Sequence, residues 1–159
     1  MSKLSPFQSK LRYGFTLIEL LLVIGIIAIL ASIVIVAINP TKQLGDARDA
    51  QRRSDVNTII NAVYQYAIDN NGSLPSGITT DVQTICKTDE SLKTDCAAWA
   101  DGLWLSGLTG AYIVAMPSDP LSPTGSASTM YTITKNSSNR VTVAAPATEQ
   151  AAEVISVTR

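Results

Sequence analysis

Gly14-Phe15-Thr16-Leu17-Ile18-Glu19 opens an apolar run that continues to Ile38. Within residues 15–38 the plainly polar side chains are Thr16, Glu19 and Ser32. A helix over this stretch is about 36 Å long, enough to cross a hydrocarbon core of about 30 Å. A carboxylate at the centre of such a helix costs roughly 2.5–3.5 kcal/mol, and less near its end. A plain anchor gains nothing from that cost, so Glu19 is expected to have a partner.

The residues before the run suggest what the partner is. Lys3, Lys10 and Arg12 precede Gly14 and no acid does, the pattern of a charged leader. An ordinary secretory signal is cut after its apolar core, whereas Gly14 lies before it. Cleavage after Gly14 would free the amino group of Phe15 one helical turn from Glu19. Each copy would then carry a cation and an anion at the tip of an apolar helix, and neighbouring copies could pair them.

Gly14-Phe15-Thr16-Leu17-Ile18-Glu19-Leu20 resembles the leader of type IV prepilins and pseudopilins. The resemblance is strongest over residues 10–38 and continues more weakly to about Pro75. It implies that a prepilin peptidase cuts between Gly14 and Phe15 and methylates the new amino group of Phe15. It also implies that Glu19 serves assembly, pairing with the terminal ammonium of a neighbour. The implied partners are further copies of the chain, the peptidase and an inner-membrane assembly platform. The implied location is the bacterial inner membrane, single-pass with an extracytoplasmic head, and then a filament. Many family members carry a helix-breaking Pro at the place of Val36. Here Asn39-Pro40 stands instead, so the break is expected within residues 35–40.

Two blander readings of the run stay open. One is a signal anchor with an incidental acid, and the other a secretory signal cut near Ala31 or Ser32. Gly25, Ala28, Ala31 and Ser32 offer a face of small residues for close helix packing. Charge alone does not orient the segment, because Lys42, Arg48, Arg52 and Arg53 follow it as closely as the leader cations precede it. The leader motif does orient it.

A chain of 159 residues has room for a leader, a membrane helix and one modest head. It contains no His, which removes His-based acid–base chemistry, His-dependent nucleophiles and His metal ligands. The net charge is −1 and becomes more negative once the leader cations are lost, so no footprint for nucleic acid is present. Neither a phosphate-loop lysine motif nor a dinucleotide glycine fingerprint occurs. An enzymatic role is not expected. The two cysteines, Cys86 and Cys96, are expected to pair in an oxidising compartment, closing a loop worth roughly 3 kcal/mol on chain-entropy grounds. The alternative, a thiolate metal site, would be incomplete without His or further Cys.

After Pro40, Leu44, Ala47, Ala50, Val56, Ile60, Val63 and Ala67 recur at helical spacing. Asp49 and Arg53 stand four apart, as in an ion pair along a helix. Asp46, Asp49 and Asp55 alternate with Arg48, Arg52 and Arg53, which reads either as a solvated face or as ion pairing between subunits of a fibre. Asn70-Asn71-Gly72 is a helix stop. Residues 73–110 read as loops carrying the cysteines, with Trp99, Leu103, Trp104, Leu105 and Leu108 supplying a short helix and core. Residues 111–116 read as a first strand, 129–135 as a second and 141–145 as its hairpin partner across Asn136-Ser137-Ser138-Asn139. Residues 154–157 read as an edge strand or tail.

The expected fold class is α+β and pilin-like: a long N-terminal helix, half membrane and half amphipathic, packed on a small antiparallel sheet. The expected divisions are 1–14 leader, 15–38 transmembrane or fibre-core helix, 39–72 amphipathic half and 73–159 head. The resemblance also raises calcium in the head loops, where Asp81, Asp89, Glu90, Asp95, Asp101 and Asp119 lie, with Asp119 the candidate ligand. No other cofactor is expected. The expected function is a filament subunit of a type IV pilus, a type II secretion pseudopilus or a DNA-uptake (competence) pilus. A single-pass anchored binding protein whose head acts alone is the alternative.

Overall fold

The structure, a computed structural model, describes residues 14–87 and 90–159. The leader before Gly14, and Asp89 among the loop acids, lie outside the described residues. The chain divides into two compact units, residues 1–40 and 41–159.

The first unit is helix α1, Leu17–Ile38, none of whose residues is buried. It ends where expected. Pro40 has no N–H to continue the ladder and disfavours helical backbone in the residue before it. Asn39 accordingly adopts the left-handed conformation, φ 45°, and Pro40 starts helix α2, Pro40–Asp69, the position a helix tolerates best.

In the second unit, α2 stops at the Asn-Asn-Gly signal. Asn71 and Gly72 both take positive φ, and the Gly72 N–H reaches back to the Ala67 carbonyl at 2.7 Å, closing the last turn. Val56, Ile59, Ile60 and Val63 form the face that meets the sheet and are fully buried. They pack with Ile85, Tyr131, Ile133, Val141, Val143, Ala145 and Ile155 in one apolar core.

The sheet has five strands in the order β2-β1-β3-β4-β5. They are β1 Gln83–Cys86, β2 Gly102–Leu103, β3 Ser128–Lys135, β4 Val141–Ala145 and β5 Ile155–Thr158. The β3–β4 hairpin and the β5 edge fall where alternation places them. Asn136 Oδ1 holds the hairpin turn by accepting the Ser138 and Arg140 N–H groups at 2.9 and 3.0 Å. The sheet is mixed, not antiparallel throughout, because β1 and β2 pair in parallel.

Two local expectations need correction. Residues 111–116 do not form a strand. Gly110, at φ 84°, donates to the Ile113 carbonyl at 2.7 Å, and Tyr112 and Ile113 donate back to Leu108, so the backbone curls. The first strand is instead Gln83–Cys86, inside the stretch read as loop. The short helix falls at Lys93–Ala97 (α3). Leu103, Leu105 and Leu108 do join the core. Cys86 and Cys96 are disulfide-bonded with Cα atoms 6.0 Å apart, and Leu92 and Trp104 pack against the bridge.

Asp46 and Arg53 are exposed, as on a solvated face, but three other charges of α2 are not. Asp49, Arg52 and Asp55 are buried inside the head. Arg52 Nε and Nη2 donate to the two oxygens of Asp119 at 2.6 and 3.0 Å, and Nη1 donates to Asp49 at 2.7 Å and Glu149 at 3.0 Å. Asp49 also accepts the backbone N–H groups of Glu149, Gln150 and Ala151. Burial pushes its carboxyl up, but these three N–H groups and Arg52 outweigh burial and hold it far below the usual range. The Tyr131 hydroxyl donates to Asp55 at 2.7 Å. The partner of Asp49 is therefore Arg52 and not Arg53.

Backbone geometry brings Asp119 to this cluster. Met130 takes φ 65°, where β3 slips register against β1. This bulge lets the Thr129 carbonyl accept the Asp119 N–H at 2.9 Å, while the Thr129 hydroxyl donates to Ile85 at 2.7 Å.

Removing one partner of a buried ion pair leaves an uncompensated charge and costs about 3–5 kcal/mol. Residues 41–159 alone are expected to fold as a monomer in water. In that fragment Arg52→Ala is expected to lower the unfolding free energy by about 3–5 kcal/mol in urea titration, with Arg52→Lys recovering little because the fork geometry is lost.

Part of the acid sensitivity should come from Glu149. Hydrogen bonds from Arg48 and then Arg52 lower its pKa from 4.5 to about 2. A carboxyl depressed by folding contributes stability fully above its unfolded value and loses it as pH falls through the folded value. Stability is thus expected to fall between about pH 4.5 and 2, and Glu149→Gln to abolish that part of the fall when pH titrations of the two are compared.

Candidate assembly site at the N-terminal helix

The polar residues of the apolar run all find partners inside their own helix. Thr16 is the N-cap of α1, and its hydroxyl accepts the Glu19 N–H at 3.3 Å. Glu19 reaches back, its Oε2 accepting the Thr16 N–H at 2.8 Å and the Thr16 hydroxyl at 2.7 Å. This reciprocal capping box satisfies donors that the first turn otherwise leaves open. Ser32 donates to the Ile29 carbonyl at 2.8 Å. A helix placed in a hydrocarbon core would need this self-sufficiency, because no water is there to complete the bonds.

Gly14 and Phe15 precede the cap in non-helical backbone, and both are exposed. The Gly14–Phe15 bond thus stands clear of the helix, next to a first turn whose carboxylate is already oriented. Both bonds from Thr16 fall on Oε2; Oε1 takes no part in them. α1 is long and apolar enough to cross a membrane, with a mean hydropathy of 3.3.

The other candidate residues sit elsewhere. Cys86 and Cys96 form their bridge in the head. Asp119 faces the Arg52 guanidinium with both oxygens and also accepts the Leu121 N–H at 2.8 Å. The cation beside it is therefore supplied by the chain itself. Asp101 accepts the Thr84 hydroxyl. Among the described residues no three His, Cys, Asp or Glu side chains cluster to hold a metal.

The capping box has a local signature, Thr-x-x-Glu before an apolar run. The buried charges had a signal as well. Asp49 and Arg52 extend the spacing of Val56, Ile59 and Val63 toward the N-terminus, on the same side of α2.

An apolar membrane-length helix, capped by an acid and preceded by an exposed Gly–Phe bond, defines a prepilin-type N-terminal segment. Residues 9–35 match the family described as the prokaryotic N-terminal methylation motif. The chain is also 39% identical over 64 residues to the type II secretion system core protein G of Aeromonas hydrophila, a match covering 40% of this chain and 43% of that protein. No solved structure matches the chain. The chain thus carries the prokaryotic N-terminal methylation motif, and its fold is α+β, a long N-terminal helix with a small mixed sheet.

Loss of an N-cap costs about 1 kcal/mol. Thr16→Ala is therefore expected to speed amide hydrogen exchange at Glu19 by roughly fivefold in detergent micelles, with exchange in α2 unchanged.

Proposed function

We propose that this chain is a structural subunit of a pilus-like filament and not an enzyme. It is made as a precursor, cut by a prepilin peptidase after Gly14 and methylated on the new amino group of Phe15. Residues 15–38 then hold it in the bacterial inner membrane with the head outside, until an assembly platform draws it into a filament. The observation that carries this reading is the acid in the first turn of an otherwise lipid-compatible helix, beside the Gly14–Phe15 bond.

Hydrolysis of that bond leaves an ammonium on Phe15. Taking an ammonium or a carboxylate out of water costs several kcal/mol each, and pairing offsets much of that cost. Parallel helices in a filament core bring the ammonium of one copy to the Glu19 of the next, and each neutralises the other. The similarity to a type II secretion protein favours a secretion pseudopilus over a surface or DNA-uptake pilus.

Mass spectrometry of membrane-extracted protein is expected to give a chain beginning at Phe15 and one methyl group heavier. A mature start at Ser32 would contradict the proposal. Glu19→Leu is expected to insert in the membrane and be cut normally, yet to be missing from sheared filaments when it is the sole subunit. Normal filament yield from that variant would leave Glu19 only its role in the cap.

A further inference from the structure

Three Asn-x-Ser/Thr triplets occur in the sequence: Asn39-Pro40-Thr41, Asn71-Gly72-Ser73 and Asn136-Ser137-Ser138. Such a triplet is the acceptor signal for N-linked glycans in secreted proteins, unless its middle residue is Pro. Matches to so short a pattern carry little by themselves. Their surroundings separate them.

Asn39 is excluded by Pro40, and it caps the end of α1. Asn136 is exposed, but its side-chain oxygen accepts the Ser138 and Arg140 N–H groups and so holds the β3–β4 turn. A transferase that grips this amide has to take it out of the hairpin. Asn71 has neither obstacle. It follows the last turn of α2 in a stretch, residues 68–73, that is exposed throughout. Neither its side chain nor that of Ser73 hydrogen-bonds to another described residue.

The backbone at Asn71 also opens readily. Asn71 and Gly72 take φ 55° and 85°, and the turn is closed by the Gly72 and Ser73 N–H groups on the Ala67 and Asn70 carbonyls at 2.7 and 3.1 Å. Ala67 is the last buried residue before the turn and Pro75 the first after it. The intervening segment can therefore enter an enzyme's cleft without displacing the core, and such local opening costs far less than global unfolding. Asp69 places an exposed carboxylate two residues ahead of Asn71, a charge for an enzyme to hold. Thr134 stands at the same offset from Asn136. Beside Gly72 and Ser73 an open recess of about 400 Å³ extends to Lys135 and Asn139, which gives an attached sugar room against the head.

We propose that Asn71 is an acceptor for an N-linked glycan. The donor is an oligosaccharide carried on a lipid diphosphate, and the catalyst is a membrane transferase acting on the side where the head lies. The Asn71 amide nitrogen attacks the anomeric carbon of the first sugar. A C–N bond forms, the C–O bond to the diphosphate breaks, the lipid diphosphate leaves with the electron pair, and the amide gives one proton to the transferase's base. The site rests on the reading of the head as extracytoplasmic.

The test uses the full-length chain in a bacterium that carries such a transferase and a lipid-diphosphate-linked oligosaccharide of known mass. The Cys86–Cys96 bridge, measured first by thiol labelling, reports whether the head was exported. After reduction, trypsin separates the two candidates, because residues 54–87 hold Asn71 and residues 136–140 hold Asn136. The 54–87 peptide is expected to gain the mass of one glycan and the 136–140 peptide none. Asn71→Gln and Ser73→Ala are each expected to abolish the gain, and Asn136→Gln to leave it unchanged. A bridged chain whose 54–87 peptide stays unmodified would overturn the glycan site alone, and so would a glycan on Asn136 in its place. A chain with free thiols would overturn the extracytoplasmic reading and this site with it.

Discussion

The head is organised around one guanidinium. Arg52 is fully buried, and its fork ties α2 to the segment before β3 through Asp119 and to the segment before β5 through Glu149. A planar cation with fixed donors suits this task better than a flexible ammonium. A buried ion pair often contributes little net stability compared with an apolar core. Its effect here is one of register: wrong pairings of these three segments strand a charge. The apolar core above it, from Val56 to Ala67, tolerates small slips more easily, because apolar contacts are not directional.

Close approach completes the arrangement. A Cβ on Gly45 would come within 2.8 Å of the Gln150 side chain, so the 149–151 segment lies directly on α2 and its N–H groups reach Asp49. At the other end of β5, Arg159 exchanges backbone bonds with Val141 and reaches Asn61 through its side chain at 2.6 Å. β5 is thereby tied to α2 at both ends.

Much of this was legible in the residues. The long apolar run, the stop at Asn39-Pro40, the Asn-Asn-Gly terminus, the β3–β4 hairpin and the cysteine pair all follow from local chemistry, and the structure places them as read. What escaped was non-local. Gln83-Thr84-Ile85-Cys86 is too short to alternate convincingly, and it becomes a strand because β3 and β2 flank it. Residues 111–116 are apolar enough for a strand, but Gly110 turns the backbone first. Arg52 looked like surface because charge usually is. Only the partners brought by Asp119 and Glu149, far along the chain, make its burial affordable. At the N-terminus, by contrast, the cap is local: Thr16 stands three residues before Glu19, the spacing of a capping box.

The capping box has a consequence for energetics. Glu19 is already hydrogen-bonded within its own subunit, so joining a neighbour's ammonium, on the filament reading, exchanges one set of polar contacts for another. Such an exchange leaves the polar free energy changed by far less than the strength of either contact. A subunit held in lipid is then a quiescent store, with no unsatisfied acid to nucleate clusters before its turn. On that reading, helix packing and not this one polar contact sets the direction of assembly.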